Sequence, residues 1–435
     1  MKKSPKLLFK ANKLIPGGSM LFSKKAELHL PEYWPSYFSK AKDCYVWDLN
    51  GKKYTDMMFY PGTNVLGYGN KEIEKKLRNA IKSSVMSTLN CPEEVYLAEK
   101  LINLHSWSDK VRFARSGGEA NAIAIRIARA ASQRVKVAIC GYHGWHDWYL
   151  SANINNSSNL DQHLLKGLGT KGVPEVLKNT VFPFEYGNFA YLSKIIDEND
   201  IGVIKMELSR STNPDIKFLQ KIRKLCNQKN IILIYDECTS GFRQSYGGLH
   251  MEYDKDIYPD IAMFGKALGN GCAINAILGK EEIMNEVNNS FISSTFWTER
   301  IGSVAALATL DQMKKNKSWI QIKNIGIYLK KKWKEIALKN NIQITISGID
   351  SLPNFTFKNK DHLLLKTFFT QEMLKRGYLA SNVVYVSYKH DKKIIDKYLN
   401  DFEEVLSIIS KNSFYDIKNK HLKGPICQST FSRLN

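Results

Sequence analysis

The stretch from Ile231 to Gly271 constrains this chain more than any other. It begins IILIYDECTSGFRQSYGG and, after a spacer, continues PDIAMFGKALGNG. Ile231–Tyr235 is short, apolar and rich in β-branched residues, the pattern of a strand buried on both faces of a parallel sheet. Two acids, Asp236 and Glu237, follow at once. A second apolar run, Ile261–Phe264, delivers Gly265-Lys266, and a glycine-rich turn, Gly269-Asn270-Gly271, comes after it. Open α/β sheets bind ligands just past the carboxyl ends of their strands. The pattern therefore predicts one carboxylate and one lysine in a single pocket.

That pairing suits pyridoxal phosphate (PLP). The lysine amine forms a Schiff base with the cofactor, and the aspartate pairs with the ring nitrogen and keeps it protonated. The protonated ring is an electron sink that lets the Cα proton of a bound amine leave. DECTSGFRQSYGG, then PDIAMFGKALGNG, then AINAILGKEEIM resembles the class III (subgroup II) aminotransferases. Within that family the chain most resembles the glutamate-1-semialdehyde aminomutase branch, from about Pro16 to His390. The resemblance implies the type I fold of PLP-dependent transferases, an α/β architecture. A large, mostly parallel sheet domain is expected over residues 65–313, with a smaller α+β domain assembled from 1–64 and 314–435. Lys266 and Asp236 are implied as the catalytic pair, with Lys266 acting as general base.

Other motifs surround this pair. Val111–Arg115 reads as a strand, and Ser116-Gly117-Gly118 opens the helical run EANAIAIRIARAA. Strand, small-residue turn and helix make a phosphate cradle, because backbone N–H groups and the helix dipole favour an anion there. The resemblance places the cofactor phosphate on Ser116, Gly117 and Gly118. At Gly118 a hydroxyl usual in the family is missing, and Arg115 replaces a neutral residue; Arg115 either adds phosphate affinity or points elsewhere. Val135–Cys140 leads into Gly141-Tyr142-His143, where Tyr142 matches the aromatic that stacks on the ring. His143 and His146 lack Cys or acidic partners at suitable spacing, so no metal is expected.

The strand Ile201–Met206 ends at Glu207, matching a glutamate at the family's cofactor site. The loop after it, ELSRSTNPD, has no glycine and carries Arg210. Arg210 is either an anion clamp, since its planar fork matches a carboxylate or phosphate, or a solvated surface residue. Thr295 matches a threonine that reaches the phosphate of the neighbouring subunit's cofactor, which implies a homodimer. Trp297 and Glu299 stand in the following run, where the family has Gly/Ser-Asn-Pro, and are candidate substrate contacts. SMLFSK at Ser19–Lys24 likewise replaces the aminomutase Ser-Pro-Val-Arg run.

Residues 1–40 are expected to be irregular, and CYVWDL-NG-KKYTD reads as a hairpin. Helices are expected from Lys71, over Pro92–Leu104, Asp215–Lys229 and Ile301–Met313, with a polar loop at 151–180. Lys and Arg total 63 against 42 Asp and Glu, a formal charge of +21. The excess is scattered and not interleaved with aromatics, so no nucleic-acid partner is expected. The seven cysteines are odd in number and show no CxxC spacing, which suits a reducing cytoplasm. No apolar run has signal-peptide or membrane-spanning form, so a cytoplasmic protein without a membrane partner is expected.

Three functions follow. The favoured one is an aminotransferase acting between a small amino donor and an aldehyde or ketone acceptor, with sugar-derived and acidic metabolites as candidate acceptors. The alternative is an aminomutase that moves the amine within one molecule. The third, an idle binding homologue, is opposed by the presence of both Asp236 and Lys266. The departures at Ser19–Lys24, Ser209–Asn213 and Trp297–Arg300 favour the transferase.

Overall fold

In the computed structural model the described residues are 3–163, 166–209 and 212–429. They form two compact units, one from 72–312 and the other from 3–71 with 313–429.

The first unit is built on a seven-stranded sheet. Its strands are β1 (Lys110–Ala114), β2 (Lys136–Cys140), β3 (Val181–Pro183), β4 (Ile201–Glu207), β5 (Ile232–Asp236), β6 (Ile261–Phe264) and β7 (Asn275–Gly279). They lie in the order β1-β7-β6-β5-β4-β2-β3. The pairings from β6 through β5, β4 and β2 to β3 are parallel. β7 runs antiparallel to both β6 and β1. The sheet is therefore mostly parallel with one reversed strand, and the α/β transferase architecture expected above is present. The reversal has a simple cause. Residues 265–274 hold a single helical turn, Lys266–Gly269, and a parallel crossover takes about a dozen residues or more.

β4 and β5 are buried along their whole length, as central strands covered on both faces must be. Helix α1 (Gly117–Ser132) follows β1 and buries Ala120, Ile123, Ala124, Ile127 and Ala128. Those positions recur at helical spacing and form one apolar stripe. Helix α2 (Ile216–Lys229) precedes β5 and is capped by Asp215, whose carboxylate accepts the Phe218 amide. In the register of the parallel strands Cys140 faces Met206, Glu207 faces Asp236, and Asp236 faces Met263. The carboxyl ends of β2, β4, β5 and β6 are thus nearly flush, and the residues just beyond them gather at one edge.

In the second unit the expected hairpin pairs Tyr45–Asp48 with Lys53–Asp56. Asp48 accepts the amides of Asn50 and Lys52 at 2.8 and 3.0 Å, which stabilises the Asn50-Gly51 turn. Trp333, on the helix Ser318–Lys339, is fully buried against Phe355 and Phe402. One expectation needs correction: Lys3–Leu14 is a helix rather than irregular chain. No acid marks its first turn, so the usual start signal is missing. Its Lys and Leu residues are good helix formers, and Pro5 sits in the first turn, where its missing N–H costs little. Among the described residues no helix is long and apolar enough to cross a membrane.

Gly326 marks the tightest approach in the second unit. A Cβ there would stand 1.5 Å from the Asp350 carbonyl oxygen. Gly326→Ala gains about 1 kcal/mol of helix propensity, but overpacking costs about 1–3 kcal/mol. Net destabilisation is expected, seen as a lower urea midpoint with an unchanged slope.

Candidate active site

The site is built outward from Asp236, at the buried end of β5. Its Oδ2 lies 2.9 Å from His143 Nδ1 and 3.8 Å from Lys205 Nζ. Its Oδ1 accepts the Cys238 amide at 3.1 Å. Burial alone would raise the pKa of this carboxyl; Lys205, His143 and the Cys238 amide outweigh it and hold the group well below the usual carboxylate range. An ionised carboxylate only accepts, so His143 donates from Nδ1. Desolvation lowers the pKa of His143, which leaves it neutral. Lys205 has no exposed surface and also touches Met263 Sδ at 2.9 Å. Desolvation pulls its pKa down, and Asp236 offsets part of that.

Lys266 follows β6, the strand beside β5. Its Nζ donates to Thr239 Oγ1 at 2.6 Å. Thr239 belongs to the loop that leaves β5, so the carboxylate and the amine occupy the same sheet edge. Cys238, its thiol pushed up by burial and by Asp236, feels the opposing charge of Lys266. The Lys266 backbone is left-handed, with φ at +40°. Such strain costs about 1–3 kcal/mol and collects at functional sites.

The expected phosphate cradle is the first turn of α1. Ser116 caps the helix in a capping box with Glu119, which uses the amides of Ser116 and Glu119. The amides of Gly117 and Gly118 remain as first-turn donors that no helical carbonyl can meet. The missing hydroxyl at Gly118 also has a structural reason. A Cβ there would stand 3.2 Å from His146 Nε2, and one on Gly144 (φ +98°) would stand 3.3 Å from the Gly118 Cα. The loop after β2 presses directly on the helix start.

Glu207, at the end of β4, accepts the Tyr142 amide at 3.2 Å. It therefore fixes the turn that carries Tyr142, whose ring meets Tyr149 edge-on. On the other side of that turn, the Gly141 amide donates to His163 Nδ1 at 2.9 Å. Arg115 takes the second of its two alternatives. It donates to the carbonyls of Phe296 and Trp297 at 2.8 Å each, donates also to that of Glu299, and pairs with the Glu299 carboxylate at 3.7 Å. The Glu299 carboxylate further accepts the Ile301 amide. Trp297 is half-buried against the core of the unit, and Thr295 is exposed at the start of the turn Thr295–Thr298. Arg210 lies outside the described residues.

Sequence reasoning missed three members of this constellation. Lys205 carried a visible signal, a lysine inside an otherwise apolar strand. His143 reads from the sequence only as a candidate metal ligand, and Thr239 carries no local signal. Chemically the arrangement combines an anion cradle, an ionised buried carboxylate and an amine held by a hydroxyl.

The family model described as Aminotransferase class-III matches residues 31–386. The 3-aminobutyryl-CoA aminotransferase of Cloacimonas acidaminovorans (strain Evry) is 28% identical, over 94% of this chain and 98% of that protein. The glutamate-1-semialdehyde 2,1-aminomutase of Wigglesworthia glossinidia brevipalpis is 30% identical, over 93% of this chain and 97% of that protein. Among solved structures, the FumI protein of Sphingopyxis sp. MTA144, determined with PLP, superposes with a TM-score of 0.85 at 21% identity. That match covers 96% of this chain and 98% of the other.

The pKa of His163 is lowered to about 4 by desolvation and by nearby His143. The unfolded chain, with histidine near 6.5, then binds the proton first. This stabilisation is complete above about pH 6.5 and disappears as pH falls toward 4. The melting temperature should drop through that window. In His163→Gln, whose amide oxygen accepts the Gly141 N–H without titrating, calorimetry should show a shallower drop.

Proposed function

The chain belongs to the class-III aminotransferase family, and on that premise we propose that it transfers an amino group from an amine donor to an aldehyde or ketone acceptor with PLP as cofactor. The observation that carries this reading is that ionised Asp236 and Lys266, the latter held by Thr239, stand at the same end of the sheet. In this reading the Gly117 and Gly118 amides, aided by the dipole of α1, bind the phosphate, with Ser116 shaping the turn. Asp236 accepts the ring N–H, Tyr142 covers a ring face, and Glu207 keeps Tyr142 in place. When bound, the cofactor supplies the electron sink that acidifies the Cα–H of an attached amine. The Lys266 amine moves that proton between Cα and C4′ as general base, and the Thr239 hydroxyl orients the amine.

The second reading is an aminomutase, which would share every cofactor residue. It is supported by relatives of that name at 30% identity. The changed segments at Ser19–Lys24, Ser209–Asn213 and Trp297–Arg300 favour intermolecular transfer. We also infer a homodimer in which Thr295 reaches the other copy's phosphate. Thr295 is exposed and flanked by Phe291 and Phe296, 87% and 66% exposed, an apolar surface that a second copy would cover.

The purified protein should be yellow, losing its visible band with an amine donor and regaining it with a carbonyl acceptor. Lys266→Ala should lose the band and slow turnover by about 10²–10⁴-fold or more; unchanged turnover would refute the assignment. Product formed from one substrate without any external acceptor would select the aminomutase. Thr295→Val should weaken PLP binding by about 1.5–3 kcal/mol, the worth of a hydrogen bond to a charged group. In sedimentation followed by cofactor absorbance, dilution should release PLP as the dimer dissociates. A monomer that keeps its PLP and its activity would count against the role of Thr295.

A further inference from the structure

Apart from Lys205 and Glu207, β4 is apolar or glycine. Lys205 lies wholly inside the sheet, where an ammonium is costly to desolvate and an aliphatic side chain would pack at no such cost. Its position is explained by Asp236, the carboxylate within ion-pair distance of it among the described residues. The 3.8 Å separation is a charge contact rather than a short hydrogen bond. The short bonds to Asp236 come instead from His143 at Oδ2 and from the Cys238 amide at Oδ1. Met263 Sδ, the other neighbour of Nζ, is a weak acceptor.

We propose that Lys205 is a charge-regulating positioning residue, a resident cation that competes with the cofactor's ring nitrogen for the Asp236 carboxylate. The inference rests on the reading of this edge as a PLP site. The direction of the effect follows from the charges. With His143 neutral, the charges of Lys205 and Asp236 cancel. A neutral ring nitrogen leaves that balance intact. A protonated one sets two cations against the one carboxylate they share, and the cations repel. The ring nitrogen therefore holds its proton less tightly here than beside a carboxylate with no second cation. The other titratable groups facing the pair are Glu207 two residues along β4, His143 after β2 and Cys238 after β5. The charge of Lys266 acts on Cys238. Neutral His143 and Cys238 leave the balance unchanged, and Glu207, which accepts the Tyr142 amide, adds the same negative charge whether or not Lys205 is present.

The test is to load the full chain and Lys205→Met with PLP labelled at the ring nitrogen with ¹⁵N. The nitrogen chemical shift, which reads ring protonation directly, is then followed across the pH range in which both proteins stay folded. The ring-nitrogen midpoint should lie about 1–2 pH units lower in the unaltered chain than in Lys205→Met, the size expected for one nearby charge. Lys205→Arg, which keeps the charge, should retain the low midpoint. Lys205→Gln, neutral with a polar head, should share the raised midpoint and carries the comparison should the Met variant aggregate. Coincident titrations in the unaltered chain and the neutral variants, with PLP bound equally by all, would overturn the role of Lys205 and leave the PLP site standing. Failure of the unaltered chain to retain PLP at all would overturn the proposed function and this inference with it.

Discussion

A carboxylate held ionised inside the protein is the constraint around which the first unit is arranged. Taking one into the interior costs several kcal/mol unless donors and opposite charge meet it there. Asp236 is met by Lys205 from β4, by His143 from the loop after β2, and by the Cys238 amide just beyond β5. These groups converge only if β2, β4 and β5 are neighbours in the observed register. Sheet topology and site electrostatics are therefore one problem. The next residue shows the same economy in the opposite direction. Glu237 is also buried, and its carboxylate is satisfied by His250, Ser240 and the amides of Leu249 and His250. One of the two adjacent acids meets Lys205 and His143, and the other fastens the loop that follows the strand.

The perimeter follows from close contacts between segments far apart in sequence. The departures at Arg115 and at Trp297–Glu299 belong together. The guanidinium of Arg115 binds the carbonyls of that segment and pairs with Glu299. The change at Arg115 is thus matched by the changes at Trp297–Glu299, with the added positive charge neutralised locally. Arg300 extends the same network through its two-pronged bond to Glu93 at 2.6 and 2.9 Å, a geometry that a guanidinium and a carboxylate favour. The segment carrying Thr295, Trp297 and Glu299 is consequently anchored, although Thr295 itself is exposed.

Much of this was legible from local pattern. The apolar runs marked β2, β4, β5 and β6, and Asp236 and Glu207 end two of them while Lys266 follows a third, as continuous apolar patterning and turn chemistry place them. The helix start at Ser116–Gly118 was readable because capping and small residues are local signals. The helix Lys3–Leu14 was not, since it lacks start signals. The reversed direction of β7 was open to the same kind of reading, since the short segment 265–274 cannot make a parallel crossover.

The roles of Lys205, Thr239 and His143 were illegible for a different reason. His143 and Asp236 are 93 residues apart, Lys266 and Thr239 are 27 apart, and Arg115 and Glu299 are 184 apart. Local sequence is enough to say which strands exist and which side chains stand at their ends, because backbone periodicity and turn preferences act over a few residues. The charge state of those side chains is settled by sheet order and register, because a carboxylate responds to the cations and donors brought within about 4 Å of it. In this chain the identity of Asp236 is local information, whereas its ionisation belongs to the fold.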